Sequence, residues 1–275
     1  MFEKFSVAIS VYKNDNPIFF DRALESITDL QTVQPDEIIL VVDGPVSDEL
    51  NAVIKKYEEK YVYLKPVRLP QNGGLGNALR VAVEHCSNEL IARMDSDDVS
   101  LPTRFEEQLH FFENNPKIDI VGGDISEFID SEDNIVGTRC VPTIHEEISR
   151  YMKHRCAFNH MSVMYRKNAV QKAGGYLDWF WNEDYYLWIR MMEHSCFFAN
   201  TGTTLVNVRV GKDMYQRRGG KKYYLSEKKL QKYMLEKKII GRSTYFSNVL
   251  KRWIVQMVLP NSIRGWVFRT FARTH

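Results

Sequence analysis

The chain has 275 residues and a formal net charge of +2, long enough to bury a substantial core as one large domain or one domain with an appendage. So small a net charge carries no signature of a nucleic-acid binder. The four cysteines, Cys86, Cys140, Cys156 and Cys196, lie far apart with no Cys-x-x-Cys pair, which argues against a zinc site or a disulfide scaffold and fits a reduced cytosol.

The N-terminus runs straight into a strand-like stretch, residues 6–12, with no signal-peptide core. Nor does any window reach the ~20 apolar residues of a spanning helix. Residues 13–17 read as a loop ending at Pro17, a good first helical residue, after which Phe20, Leu24 and Ile27 recur at helical spacing. Residues 37–42 form a second apolar strand that stops at Asp43-Gly44-Pro45. This strand–helix–strand unit with uninterrupted apolar strands implies a parallel sheet covered on both faces. A helix over 48–60 and a strand over 62–69 follow. Then Asn72-Gly73-Gly74-Leu75-Gly76 leads into a helix ending near His85; the glycines allow close backbone approach to a ligand and the helix start favours anions. The spacing matches neither the dinucleotide fingerprint nor the P-loop, so a ligand-free tight turn is an equal reading.

The chain is organised around residues 90–98, an apolar run that ends abruptly at Asp95, Asp97 and Asp98. A buried strand delivering these carboxylates to a sheet rim needs a cation to repay them. Hard oxygens without His or Cys suit Mg²⁺ or Mn²⁺, which take one or two carboxylates and complete their shells with water and phosphate. The plain alternative is a polar strand end running into an Asp-Asp turn. Beyond it, the pattern predicts a helix over 102–113, a strand from Ile118, an antiparallel pair across 130–134, a helix over 145–153 and, over 158–165, a polar turn running into another strand. Asn182 is placed to cap a helix with Tyr185, Trp188, Met191 and Met192 as its apolar stripe. Glu183 and Asp184 then sit in the first turn, where acids are ordinary dipole partners. One or two last strands over 197–210 precede a basic, helical tail.

Taken together, residues 7–12, Val42-Asp43-Gly44, residues 72–76, Asp95-Ser96-Asp97-Asp98, Asn159-His160 and Asn182-Glu183-Asp184-Tyr185 resemble, in order, the inverting nucleotide-sugar glycosyltransferases of the large bacterial family 2. The resemblance covers about residues 5 to 210. It implies an α/β GT-A fold with a mostly parallel central sheet flanked by helices, residues 1–98 forming a nucleotide-binding half and 99–212 an acceptor half, with a helical basic region over 213–275. It further implies transfer of a hexose, galactose before glucose, from a UDP-sugar to a lipid-diphosphate-linked GlcNAc in O-antigen or other surface-polysaccharide assembly. By the same resemblance Asp95 and Asp97 hold Mn²⁺ or Mg²⁺, and Asp184 is the base. Asp43, Asn72, Gly73 and Gly76 hold uracil and ribose, Ser10 and Tyr12 wall the pocket, and Glu183 and His160 lie near sugar or acceptor, although His160 reads equally as a core histidine.

Two readings of other classes stand beside this one: a non-catalytic nucleotide-sugar-binding or scaffold protein, and a nucleic-acid-associated protein using Arg217-Arg218, Lys221-Lys222, Lys228-Lys229 and Lys237-Lys238. Nothing needed for turnover is missing, and the basic pairs fall at helical spacing among Tyr, Leu and Glu, as on a solvated helix face. After Glu236 the tail carries Arg242, Lys251, Arg252, Arg264, Arg269 and Arg273 but no acid, around clusters at Trp253, Ile254, Met257 and Val258 and at Trp266, Val267, Phe268 and Phe271. That is the composition of an interfacial helix, and it implies peripheral binding to the anionic cytoplasmic face of the inner membrane. The competing reading packs these aromatics on the domain as a terminal helical pair.

Overall fold

The computed structural model describes residues 2–211 and 220–259. The tail clusters beyond Pro260, and Arg217-Arg218, lie outside them. Strands β1 (Phe5–Val11), β2 (Glu37–Val42), β3 (Leu64–Arg68) and β4 (Leu90–Met94) alternate with helices α1 (Pro17–Ser26), α2 (Asp48–Lys60) and α3 (Leu75–His85). After the short β5 (Val99–Ser100) come α4 (Arg104–Asn114), the β6 (Ile120–Phe128) and β7 (Ile135–Arg139) hairpin, and α5 (His145–Tyr151). Strand β8 (Met164–Arg166), α6 (Lys167–Lys172), α7 (Glu183–Glu193) and β9 (Phe198–Arg209) complete the sheet layer, and α8 (Lys221–Glu236) and α9 (Arg242–Trp253) follow.

The strands join one sheet in the order β3-β2-β1-β4-β8-β6-β9-β5, with β7 beside β6. The first four strands are parallel, as are β6 and β9, whereas β8, β7 and β5 pair antiparallel. The expected parallel sheet is therefore a parallel half continued by a mixed half. Successive residues of the early strands enter opposite cores, as the period of two dictates. Val7, Ile9, Ile38 and Leu40 pack with Phe20 and Phe105, while Ala8, Ile39 and Val41 pack with Leu79, Trp188 and Leu230. Both faces are covered, which is why β1 and β2 read as unbroken apolar runs.

Local chemistry sets the helix starts. Asn16 accepts the amides of Ile18 and Phe19 ahead of Pro17, and the Ser47 hydroxyl accepts that of Leu50. The expected polar turn ahead of the next strand forms at residues 158–162: Asn159 Nδ2 donates to Gly123 O at 2.8 Å and Ser162 Oγ accepts the Gly123 amide at 3.2 Å. These side chains satisfy the neighbouring backbone in place of a ladder, so a single 3-10 turn forms and the strand begins at Met164. One expectation is corrected: Asn182 does not cap α7 with its side chain, which is drawn instead to Ser226 Oγ on α8 at 3.2 Å.

Candidate active site

The sheet's parallel half ends in loops along one edge. At the end of β2, the Asp43 carboxylate accepts the Gly73 amide at 2.7 Å, the Gly74 amide at 3.0 Å and Asn72 Nδ2 at 2.8 Å. This one side chain shapes the whole glycine loop. Next to it Gly44 has φ +84°, and a Cβ there would lie 2.6 Å from the Asn72 amide nitrogen, so no other residue fits without moving the loop. After β1, Asp15 accepts the Tyr12 amide at 3.0 Å and the Ser96 hydroxyl at 2.8 Å, tying this loop to the acidic one after β4. Ser10 is half-buried at the end of β1 and Tyr12 is exposed.

Alternation sends Leu90, Ala92 and Met94 of β4 into one core and Ile91 into the other. Arg93 shares the side of Ile91, is buried, and forms a bidentate pair with Asp95, one arm at 2.6 Å. Behind it Arg104, wholly enclosed, donates to the Arg93 carbonyl at 2.6 Å; burial and the Arg93 charge lower its guanidinium to about 9. Asp98 is buried and accepts the Arg209 amide at 2.9 Å, its carboxyl raised by burial and then by Asp97 and Asp95. Asp97 keeps much of its surface in solvent, yet the enclosed floor beneath it, together with the charges of Asp95 and Asp15, pushes its carboxyl up to about 6. Asp15, Asp95 and Asp97 thus crowd negative charge that Arg93 offsets only in part. Such hard oxygens fit a divalent cation. Among the described residues no group of three or more His, Cys, Asp or Glu encloses a metal ion, so remaining ligands would come from water and a diphosphate.

From the other half of the sheet, α7 brings Glu183 and Asp184 to the same edge. A Cβ on Gly76 would meet the Leu177 carbonyl at 3.4 Å and Glu183 Cβ at 3.5 Å, so the glycine loop and the start of α7 are in contact. Burial, then Asp184, push the Glu183 carboxyl up to about 7, with Arg93 acting against them. Burial also raises Asp184, whose Oδ1 accepts the Tyr185 amide at 2.6 Å while Arg93 and Arg139 pull the other way. His160 is buried with Nε2 2.9 Å from Tyr176 Oη, and burial holds its imidazole neutral, well below the ordinary range. The residues expected to act thus converge in three groups, Asp43 with the glycine loop, Asp95 with Asp97, and Glu183 with Asp184, while His160 lies beneath them. Arg93 and Asp15 were not singled out from sequence. Arg93 had a readable signal, a lone cation inside an apolar strand.

An edge of parallel strands with a braced glycine loop, a strand-end aspartate set and a second acidic pair from the mixed half is the arrangement of the GT-A class of transferase. The model of the family described as glycosyl transferase family 2 matches residues 6–174, and the chain belongs to that family. Across 98% of its length it is 36% identical to a UDP-Gal:alpha-D-GlcNAc-diphosphoundecaprenol beta-1,3-galactosyltransferase of Escherichia coli, covering 97% of that protein. It is 38% identical over 86% of its length to the amylovoran biosynthesis glycosyltransferase AmsE of Erwinia amylovora, covering 88% of it. The Staphylococcus aureus protein TarS (residues 1–349), solved in complex with UDP-GlcNAc, superposes with a TM-score of 0.67 over 91% of this chain and 72% of that one at 17% identity. The mannosyltransferase PcManGT of Pyrobaculum calidifontis, in complex with GDP-Man and Mn²⁺, gives 0.63 over 96% of this chain and 72% of that one at 12% identity. The chain is a family 2 glycosyltransferase with a GT-A fold.

Proposed function

We propose that this enzyme transfers a hexose, galactose in first place, from a UDP-sugar to GlcNAc carried on a lipid diphosphate, with inversion at the anomeric carbon. The likeness to the E. coli galactosyltransferase over nearly the whole chain supports this donor and acceptor. The observation that carries the mechanism is the approach of the acidic pair on α7 to the glycine loop at Gly76, close enough to Asp95 for its charge to act on the Glu183 carboxyl. Inversion needs a base on the face away from the leaving group, hence from a different segment than the diphosphate site. Asp184, raised by burial, takes the acceptor hydroxyl proton as that oxygen attacks. Glu183 lines the same wall and orients sugar hydroxyls. Asp95 and Asp97 would hold Mn²⁺ or Mg²⁺, which when bound would neutralise the diphosphate as a Lewis acid. Asp43 braces Asn72, Gly73 and Gly74, so that this loop and Gly76 face the uridine between Ser10 and Tyr12, and His160 supports the acceptor wall through Tyr176.

Among the described residues no helix is long and apolar enough to cross a membrane. Trp253, Ile254, Met257 and Val258 are nevertheless exposed at the end of α9. This supports peripheral attachment to an anionic membrane surface, where a lipid-linked acceptor lies in the same plane. The deciding assay is UDP release from UDP-Gal, UDP-Glc, UDP-GlcNAc and UDP-GalNAc, each with and without Mn²⁺ and a GlcNAc-diphospho-lipid. Acceptor-dependent release from UDP-Gal that EDTA abolishes is expected. Binding of UDP-sugars without release under any condition would leave only the non-catalytic reading.

A further inference from the structure

The loop just before the acidic pair holds an aromatic residue in an unusual place. Trp181 has φ +57°, a backbone region that bulky residues avoid, and its indole is 46% exposed. Such a conformation persists only where its surroundings enforce it. Here the neighbours are pinned to α8 from several sides. Trp179 Nε1 donates to the Ser226 carbonyl at 3.3 Å, the Ser226 hydroxyl donates to the Phe180 carbonyl at 2.6 Å, and Asn182 reaches the same hydroxyl. Trp179 turns inward as a result, and Trp181 is held out in solvent three residues before Asp184. Its ring lies 12° from parallel to Phe180, with centroids 5.3 Å apart, and Lys222 Nζ stands 4.0 Å from the Phe180 centroid.

A flat aromatic face with a cation at its border has a specific chemistry. The negative indole face attracts the weakly positive C–H groups of a pyranose ring, and an ammonium binds phosphate as a point charge. We propose that Trp181, seated on Phe180, stacks the first sugar of the acceptor while Lys222 binds the diphosphate attached to it, so that the sugar hydroxyl is presented to Asp184. This rests on the acceptor class proposed above, and makes Trp181 and Lys222 the residues that select a sugar diphosphate as acceptor.

The test uses the full chain, saturating UDP-Gal with Mn²⁺, and two acceptors: GlcNAc-diphosphate on a short aryl-alkyl chain, and GlcNAc on that chain without the diphosphate. Trp181→Ala is expected to raise the acceptor KM about tenfold, the scale of losing one aromatic stacking partner, with kcat and the donor KM little changed. Trp181→Phe restores most of the loss and Trp181→Leu does not. Lys222→Ala raises KM for the diphosphate acceptor alone. UDP binding by calorimetry verifies that each variant is folded, and Trp181→Leu carries the test if the alanine variant is not. An acceptor KM unchanged in the leucine and alanine variants, with the wild type active on the diphosphate acceptor, overturns the platform and leaves the proposed function standing. A wild type inactive on that acceptor with every UDP-sugar overturns both.

Discussion

Glu183 and Asp184 are sequence neighbours on a helix, so their side chains point about 100° apart and only one can face a given acceptor hydroxyl. Asp184→Asn keeps the shape of the side chain but cannot accept a proton. UDP-sugar binding should persist while kcat falls by about 10² or more; near-normal turnover would return Asp184 to an ordinary first-turn acid. Asp97→Ala removes a ligand from a side chain open to solvent, so the fold should survive and metal-dependent transfer collapse. Full activity of that variant in EDTA would end the metal assignment. Glu183 supports a pH experiment. Its carboxyl rises from an ordinary 4.5 to about 7 on folding, so the folded state binds the proton more tightly than the unfolded chain. The resulting stabilisation is complete below about 4.5 and is lost as pH rises through 7. Thermal midpoints of the ligand-free protein should therefore decline between pH 5 and 8, and Glu183→Gln should flatten that decline. Most acids of the site could be read from sequence because each ends an apolar run or opens a helix. Asp15 could not be ranked in that way, since its significance lies in Ser96, 81 residues on, which only the folded chain brings near, whereas Arg93 sits two residues from its partner Asp95.

At the level of elements, sequence signals worked where local chemistry decides. Helices α1 and α2 begin at Pro17 and Asp48, behind the caps Asn16 and Ser47, and end near the expected residues. The signals failed where long-range partners compete. Asn182 offered a capping side chain, but Ser226, 44 residues on, takes it. The glycine loop admits a sharper test. Gly44→Ala would drive a methyl group into the Asn72 amide and force the loop off the Asp43 carboxylate. Affinity for UDP should drop at least tenfold by calorimetry, whereas an alanine at Gly211, which has open space around it, should leave binding unchanged. Equal affinities would mean that the Asp43 brace has no part in nucleotide binding.

Across the whole molecule, α8 and α9 serve two surfaces. Their inner side belongs to the protein core: Leu230, Met234 and Ile240 pack with Trp188, Arg252 pairs with Glu227, and Asn248 bonds Gln231 and the Lys153 carbonyl. The pairing half of the competing tail reading therefore describes residues 221–253, while Phe246, Leu250, Trp253 and Ile254 still face outward. Full-length protein should float with anionic vesicles at low salt and be released at high salt, as expected for surface cations screened over about 10 Å. Trp253→Ser with Met257→Ser should weaken flotation and leave turnover of a short soluble acceptor intact. If the wild type does not float, the outward face has another use.

The clasp between Ser226 and the 179–182 loop also limits how this enzyme can be recombined with its relatives. A natural-looking junction for hybrid enzymes is the stretch 212–219, between the sheet and the last helices. A hybrid cut there would give one parent's Ser226 to another parent's Trp179, Phe180 and Asn182, and the loop before Asp184 would lose the bonds that set its backbone. Exchanges that move residues 177–182 together with 220–259 keep the clasp whole. In modular terms, residues 220–259 are half of the frame that sets the loop before Asp184 and travel with it.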